Sequence, residues 1–387
     1  MVYLLQAEGI FSQIFFFLMF FVFIFLYPRL MLSQLIYKIE QSARKMEEMS
    51  HKANMLTAKK AGARSREMKN AIDEFTDFFV VEPSAIDPYG LVRKIDQTIR
   101  SMESRFTEFV DEIAGGKSYK EKQELNYGLR AAIGLRQISK IVRHFVEQAK
   151  KFKNLQIAMI LQMQLPMIEK IAESEFHGTE AFVSGWPIGD SIGPLSAASL
   201  IDKSGEIAED IVSGKTTIKD RTCFVLKAKG PEPHLGRIDE AIAYLMKRNA
   251  IARVITIDAA QKLEGEKSGS VAEGIGFAMG GIGQREMIEN VLLPKKIPVD
   301  SIVVKVGMED AIMPMKKDIF KSLPKVKTLV EKAVSRAKKG QKVIIIGVGN
   351  SSGIGDTKKT VEDVEKIVNE LDRQYKKVSK EKKGGWI

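Results

Sequence analysis

Val254-Ile255-Thr256-Ile257-Asp258-Ala259-Ala260 is a short, β-branched apolar run that ends on a carboxylate. Branched residues in succession, with neither face polar, read as a strand buried on both sides. Strands of that kind belong to sheets covered by helices on both faces. Three more such runs flank it: Thr222 to Leu226, Ser301 to Val306, and Lys342 to Gly347. Between them lie helix-like stretches, Arg237 to Lys247, Gly269 to Ala278 and Lys325 to Lys338, and a charged helix follows over Thr357 to Lys377. The alternation predicts an α/β domain over residues 177–387, built on a mostly parallel sheet with helices on both faces. Ligands of such sheets bind in the crevice at the carboxyl ends of the strands, which is where Asp258 falls.

A second carboxylate sits in an unusual turn, Gly185-Trp186-Pro187-Ile188-Gly189-Asp190-Ser191-Ile192-Gly193-Pro194-Leu195. Gly189 and Gly193 permit a tight turn with close backbone approach, and Pro194 suits the first turn of a helix. Asp190 and Asp258 read equally well as helix caps or as paired acids at one crevice. Two carboxylates are the minimum for acid/base hydrolysis or for holding a divalent metal. Glu264, in Leu263-Glu264-Gly265-Glu266 just beyond the strand, is a third candidate ligand for such a metal, or a solvated loop charge.

Two glycine-rich segments complete the candidate site. Gly274 to Arg285 carries Gly281, Gly283 and Arg285, a loop that could cover the crevice and offer a guanidinium to a substrate carboxylate or phosphate. It lacks the Lys-Ser/Thr of a phosphate-binding P-loop. Gly347-Val348-Gly349-Asn350-Ser351-Ser352-Gly353-Ile354-Gly355-Asp356 follows a strand and precedes a helix. Its glycine spacing departs from the dinucleotide fingerprint, and no acid-tipped strand follows at the required distance. We read it as a turn contributing Asn350 and Asp356 to the crevice. His234, in the proline-rich loop Gly230 to Arg237, is a candidate base or a structural histidine. No Gly-x-Ser-x-Gly elbow is present, and Cys223 lies inside a strand pattern, so a serine or cysteine nucleophile is not indicated.

The remainder of the chain is of a different kind. Ile10 to Tyr27 is almost wholly apolar and, with its flanks, long enough to cross a bilayer. No basic segment precedes it and no small-x-small site follows it, which favours a retained anchor over residues 1–29 rather than a cleaved signal peptide. Arg29, Lys38, Arg44, Lys45, Lys52, Lys59 and Lys60 follow the span, whereas the first ten residues hold no Lys or Arg. The bias predicts a single-pass cell-membrane protein with the N-terminus outside and the rest cytoplasmic. Part of the net charge of +11 is thus a juxtamembrane stretch beside the lipid headgroups rather than a nucleic-acid surface, because aromatics are not interleaved with it. Residues 30–82 read as one long basic helix or coiled-coil stalk, through which chains could associate as a homo-oligomer. Residues 83–176 read as a helical domain that includes a helix over Leu91 to Ala114 and two or three more over Glu121 to Glu175. With one cysteine no internal disulfide can form, and the scattered histidines argue against structural zinc.

Two resemblances attach to these residues. Phe78-Phe79 through Glu82-Pro83 to Asp87-Pro88-Tyr89-Gly90, the turn Gly189 to Pro194, Ile257 to Glu266 and Gly276 to Gly283 resemble an archaeal family of membrane-anchored proteins, domain-of-unknown-function family 1512. More remotely, residues 183–310 resemble the spore germination protease and the hydrogenase-maturation endopeptidases. Gly189 to Leu195, Ile257-Asp258-Ala259-Ala260 and Gly281-Ile282-Gly283-Gln284-Arg285-Glu286 match that family's segments in order; Ser184-Gly185-Trp186-Pro187 departs from its pattern. This resemblance implies a peptidase/phosphorylase-like domain with Asp190 and Asp258 as the catalytic pair and a peptide or protein as substrate. The expectation is therefore an endopeptidase-like hydrolase, the alternative a non-enzymatic membrane-tethered scaffold that binds a ligand or partner.

Overall fold

The computed structural model describes residues 2–80, 90–276 and 284–384. Five helices come first: α1 (Val2–Ala61), α2 (Arg66–Phe75), α3 (Leu91–Ala114), α4 (Tyr119–Phe152) and α5 (Leu155–Ser184). A 3-10 turn, Gly189–Ser191, leads into α6 (Ile192–Ala198). The sheet region runs β1 (Ser204–Ala208), β2 (Ile211–Ile218), β3 (Arg221–Ala228), α7 (Ile238–Arg248), β4 (Ile251–Gln261), β5 (Val271–Ile275) and α8 (Gln284–Leu292). It continues as β6 (Val299–Val306), α9 (Lys317–Phe320), α10 (Leu323–Val334), β7 (Lys342–Gly347) and α11 (Thr360–Gly384). Contacts divide the chain into two compact units, one of residues 1–52 with 134–173, the other of residues 53–133 with 174–387.

In the first unit, α1 is helical from its first described residue. It is the one described helix long and apolar enough to cross a membrane, with a mean hydropathy of 2.3 over its most apolar window. Ile14 to Tyr27 are exposed along it. Further on, Leu35, Ile39, Ala43, Met46 and Met49 form a buried stripe. The stripe lies within the stretch read above as a long basic helix or coiled-coil stalk, and it is buried within the chain. Arg143 of α4 binds both carboxylate oxygens of Glu47 at 2.6 and 2.8 Å and reaches Glu40 at 2.8 Å, while Lys45 reaches Glu173 of α5 at 2.7 Å. The three helices therefore pair with one another along that stripe.

The second unit holds the sheet, in the order β1-β2-β3-β7-β4-β6-β5. The four central strands β3, β7, β4 and β6 run parallel to one another, as expected. The outer pairings β1–β2, β2–β3 and β5–β6 are antiparallel, so the sheet is mixed rather than mostly parallel. The β2–β3 hairpin turns on Lys219 and Asp220, with φ of 49° and 66°. Two left-handed residues match strand twist in a two-residue loop, but that loop is usually signalled by Asn-Gly, which is missing here. Residues 269–278, read above as helix-like, instead contain the edge strand β5. Its short run of small residues next to Glu273 carries no strand periodicity.

Alternate residues of the central strands enter opposite layers. Val225, Ile255, Ile257, Val343 and Ile345 pack toward α6, α10 and α11. Leu226, Val254, Ile344 and Ile346 pack toward α7 and α8. This two-sided burial explains the continuous apolar runs. Cys223 lies fully buried in β3, where burial pushes its thiol up to about 11. A separate aromatic cluster holds the helices of this unit together: the rings of Phe75 and Phe109 stack at 3.8 Å, with Phe106 edge-on to Phe75 at 5.2 Å.

At the carboxyl edge the strands end unequally. β7 pairs with β4 only as far as Ile257, whereas β4 continues beside β6 to Gln261. Asp258 is thus inside a strand, not at its tip, but it is the first residue of β4 beyond β7. The Val348 N–H turns back to donate to the Ile257 carbonyl at 2.8 Å. Gly193 lies against that join: a Cβ there would stand 2.0 Å from the Val348 carbonyl oxygen and 2.6 Å from that of Ile257. Gly193→Ala should therefore cost about 3 kcal/mol or more. Gly205→Ala, where a Cβ meets nothing within 4 Å, should stay within about 0.5 kcal/mol. Thermal unfolding of the two variants in detergent provides the check, and equal midpoints would contradict the packing argument.

Candidate active site

The turn that carries Asp190 is held on two sides. Gly189 N–H donates to the Met313 carbonyl at 3.0 Å and Asp190 N–H to that of Ala311 at 2.7 Å. On the other side, the Ser191 hydroxyl donates to the Ser352 carbonyl at 3.3 Å. The Asp190 carboxylate accepts the Asn350 N–H at 2.7 Å. Gly349 has φ of 122°, and a Cβ there would come within 2.9 Å of the Asp190 carboxylate. The glycine-rich turn after β7 thus approaches Asp190 with its backbone, as glycine allows.

Asp258 is 4 % exposed. It and Asp190 line one cavity of about 910 Å³. Burial raises the Asp190 carboxyl to about 6, with the Asn350 amide opposing. Burial raises Asp258 further, to about 8, with the charge on Asp190 adding to the effect and the Ala259 amide opposing it. Two carboxylates that feel each other's charge out of water cannot both ionise cheaply. Near neutrality the pair therefore holds one proton, on Asp258.

The rest of the cavity comes from segments that the glycine-based reading overlooked. Tyr119, Gln123, Asn126, Tyr127 and Arg130 form one face of α4 toward it, opposite Ile95, Ile99 and Met102 of α3. The signal was available as polar and aromatic residues at helical spacing, a pattern that also describes a solvated helix face. His234 is 3 % exposed and lines the cavity too. Its Nδ1 lies 3.0 Å from the Lys229 carbonyl, and its Nε2 lies 3.0 Å from the Tyr119 hydroxyl and 3.6 Å from Asp210. The carbonyl requires a proton on Nδ1, so a neutral ring accepts the Tyr119 O–H at Nε2. Arg237 is held by carboxylates, Asp96 at 2.9 Å, Glu103 at 3.6 Å and Glu209 at 4.0 Å.

Other expected residues lie elsewhere. Arg285 is on the exposed side of α8, paired with Glu289 at 2.8 Å, and does not line the cavity. Asp356 accepts the ammonium of Lys227 at 2.6 Å and the Gly230 N–H at 2.9 Å. Lys227 is fully buried, and burial pulls its pKa down against the pull of Asp356. Asp356 is therefore the counter-ion of a buried lysine, because an unpaired charge there would be costly. Asn350 contributes its backbone amide to Asp190, while its side chain is buried and accepts the Ser352 N–H at 2.9 Å. Gly281 and Gly283 lie outside the described residues. Glu264 is exposed on the loop after β4. Among the described residues, no group of three or more His, Cys, Asp or Glu comes together to hold a metal. Glu264 thus stands apart from Asp190 and Asp258, and two buried carboxyl groups on one cavity suit proton transfer.

Two family models match the chain: the DUF1512 N-terminal domain, a protein of unknown function, over residues 13–185, and the DUF1512 C-terminal domain of unknown function over residues 188–355. No curated protein and no solved structure matches it. The junction between the two matched regions falls just before the Asp190 turn, and the cavity draws walls from both. With both halves matched in order and together spanning most of its length, the chain belongs to the DUF1512 family.

Proposed function

We propose that the protein is a membrane-anchored hydrolase that cleaves a peptide or similar amide bond with Asp190 and Asp258. The observation that carries this reading is one cavity lined by two buried carboxyl groups whose environments push their pKa values apart, Asp190 to about 6 and Asp258 to about 8. At neutral pH the Asp190 carboxylate removes a proton from a water molecule as that water attacks the amide carbon. Protonated Asp258 gives its proton to the departing nitrogen, and the C–N bond breaks. The products are a carboxylic acid and an amine, and proton exchange between the two aspartates and solvent restores the starting state. The remote resemblance of residues 183–310 to the spore germination protease and the hydrogenase-maturation endopeptidases supports the same two residues. A site walled by α3 and α4 suits a chain end or a short flexible segment better than a folded surface.

The anchor belongs to this reading. The exposed apolar residues Ile14 to Tyr27 would lie in the bilayer, and the basic residues from Arg29 onward would set the catalytic unit on the cytoplasmic side. A scaffold that only binds a ligand would use the same cavity without turnover.

Asp190→Asn and Asp258→Asn should each lower cleavage of a responsive library peptide about 100-fold or more while the protein stays folded. For the parent, kcat/KM should follow a bell whose limbs report the pair at about 6 and about 8. Parent-level turnover in both variants would remove the proposal. The pair also has a readout that needs no substrate. Because the folded-state pKa of Asp258 is raised, its contribution to stability is present at low pH and is lost as pH climbs toward about 8. Asp258→Asn should therefore raise Tm over the parent by a few degrees at about pH 8 and by less at about pH 5. A gain independent of pH would mean that Asp258 is not held protonated.

A further inference from the structure

Among the described residues lining the cavity, Arg130 has a guanidinium that makes no ion pair within 4 Å, although its charge acts on Glu103. Arg130 points from α4 between two rings, 4.7 Å from the centre of Tyr127 and 4.9 Å from that of Phe106. Its Nε donates to the Asn126 side-chain oxygen at 2.9 Å. The stacking and that one hydrogen bond fix the plane of the group and leave both terminal nitrogens uncommitted among the described residues. Arg237, the other cavity guanidinium, is surrounded by Asp96, Glu103 and Glu209. A planar fork held flat with two free N–H pairs is the geometry that grips a carboxylate at two points.

We propose that Arg130 seats a carboxylate of the substrate and so directs the site toward peptides with a free C-terminus or an acidic side chain near the bond cut. The remaining lining narrows the class. Glu103, Glu209 and Asp210 line the same space as Asp190 and Asp258. One guanidinium among these acids balances a single negative charge and leaves a doubly charged phosphate repelled. Glu103 is the acid that acts on both Arg130 and Tyr127, but it makes no ion pair with Arg130 within 4 Å and leaves the terminal nitrogens open to a substrate carboxylate. Arg130 is a specificity residue in this account, not a proton carrier. The inference rests on the aspartate pair being the cleavage site, but the binding step can be read without cleavage.

The test uses the full chain in detergent with Asp190→Asn, so that no turnover occurs. Acetyl-trialanine with a free C-terminal carboxylate is titrated by calorimetry beside the same peptide ending in an amide. The acid should bind at least about tenfold tighter than the amide, the order expected of a charge-assisted bidentate pair. Arg130→Met should abolish the preference, and Arg130→Lys, which keeps the charge without the fork, should retain only part of it. Equal binding of acid and amide, no binding of either, tighter binding of inorganic phosphate than of the acid peptide, or a preference that survives Arg130→Met would each overturn the proposal. Should Arg130→Met not fold, Arg130→Lys and the acid–amide comparison still decide it. A clear preference in a protein that shows no cleavage would keep the seat and remove the hydrolase reading; cleavage without preference would do the reverse.

Discussion

Backbone approaches backbone at the carboxyl edge of the sheet more closely than any side chain permits. Gly193 abuts the carbonyls of Val348 and Ile257, Gly347 abuts the carbonyl of Gly193, and Gly349 abuts Asp190. Three chain segments distant in sequence are thereby brought together without a side chain between them. Everything at the site follows from that contact. It sets the Asn350 amide on the Asp190 carboxylate, lets β4 outlast β7, and leaves Asp258 facing the same cavity as Asp190. The raised pKa values are a consequence of packing, not of a special sequence around either aspartate.

This explains which parts of the molecule were legible beforehand. The four central strands announced themselves because burial on two faces demands unbroken apolar runs, and Leu91 to Ala114 because its apolar residues recur at helical spacing. β1, β2 and β5 did not, since all three are partly exposed and so lack unbroken apolar runs, and the Lys219-Asp220 turn lacks the usual residues. The glycine turns were readable as places of close approach, yet not what they approach. Asn350 meets Asp190 through its amide, and Asp356 meets Lys227, which lies just past the apolar run Thr222 to Leu226. Arg130 was hidden for the opposite reason: a polar helical face looks solvated until something is found to cover it.

The cavity is a joint product of the two matched family regions. The C-terminal region supplies the acids, and the N-terminal region supplies the face of α4 with Tyr127 and Arg130. An α/β fragment cut out alone would keep its sheet and its two aspartates but lose the helical wall. The division of labour is chemical as well as spatial: the proton-holding groups stand within a strand and on a turn pinned by backbone hydrogen bonds, whereas groups suited to recognition stand on a helix.

The helical wall and the sheet region are joined by a small apolar cluster, by the Tyr119–His234 contact and by ion pairs. The sheet and the aromatic helical cluster are separate apolar cores. Across the seam, α3 reaches the β1–β2 turn and α7 through Arg100 to Glu209 at 3.4 Å and to Glu240 at 3.0 Å, and through Asp96 to Arg237 at 2.9 Å. The Arg100 pairs are about half exposed, and pairs of that kind each contribute about 1 kcal/mol or less and weaken as salt rises. Apolar cores do not weaken in that way. Ionic strength therefore acts on the exposed part of this join before it acts on the apolar cores, while the proton-holding pair stays intact.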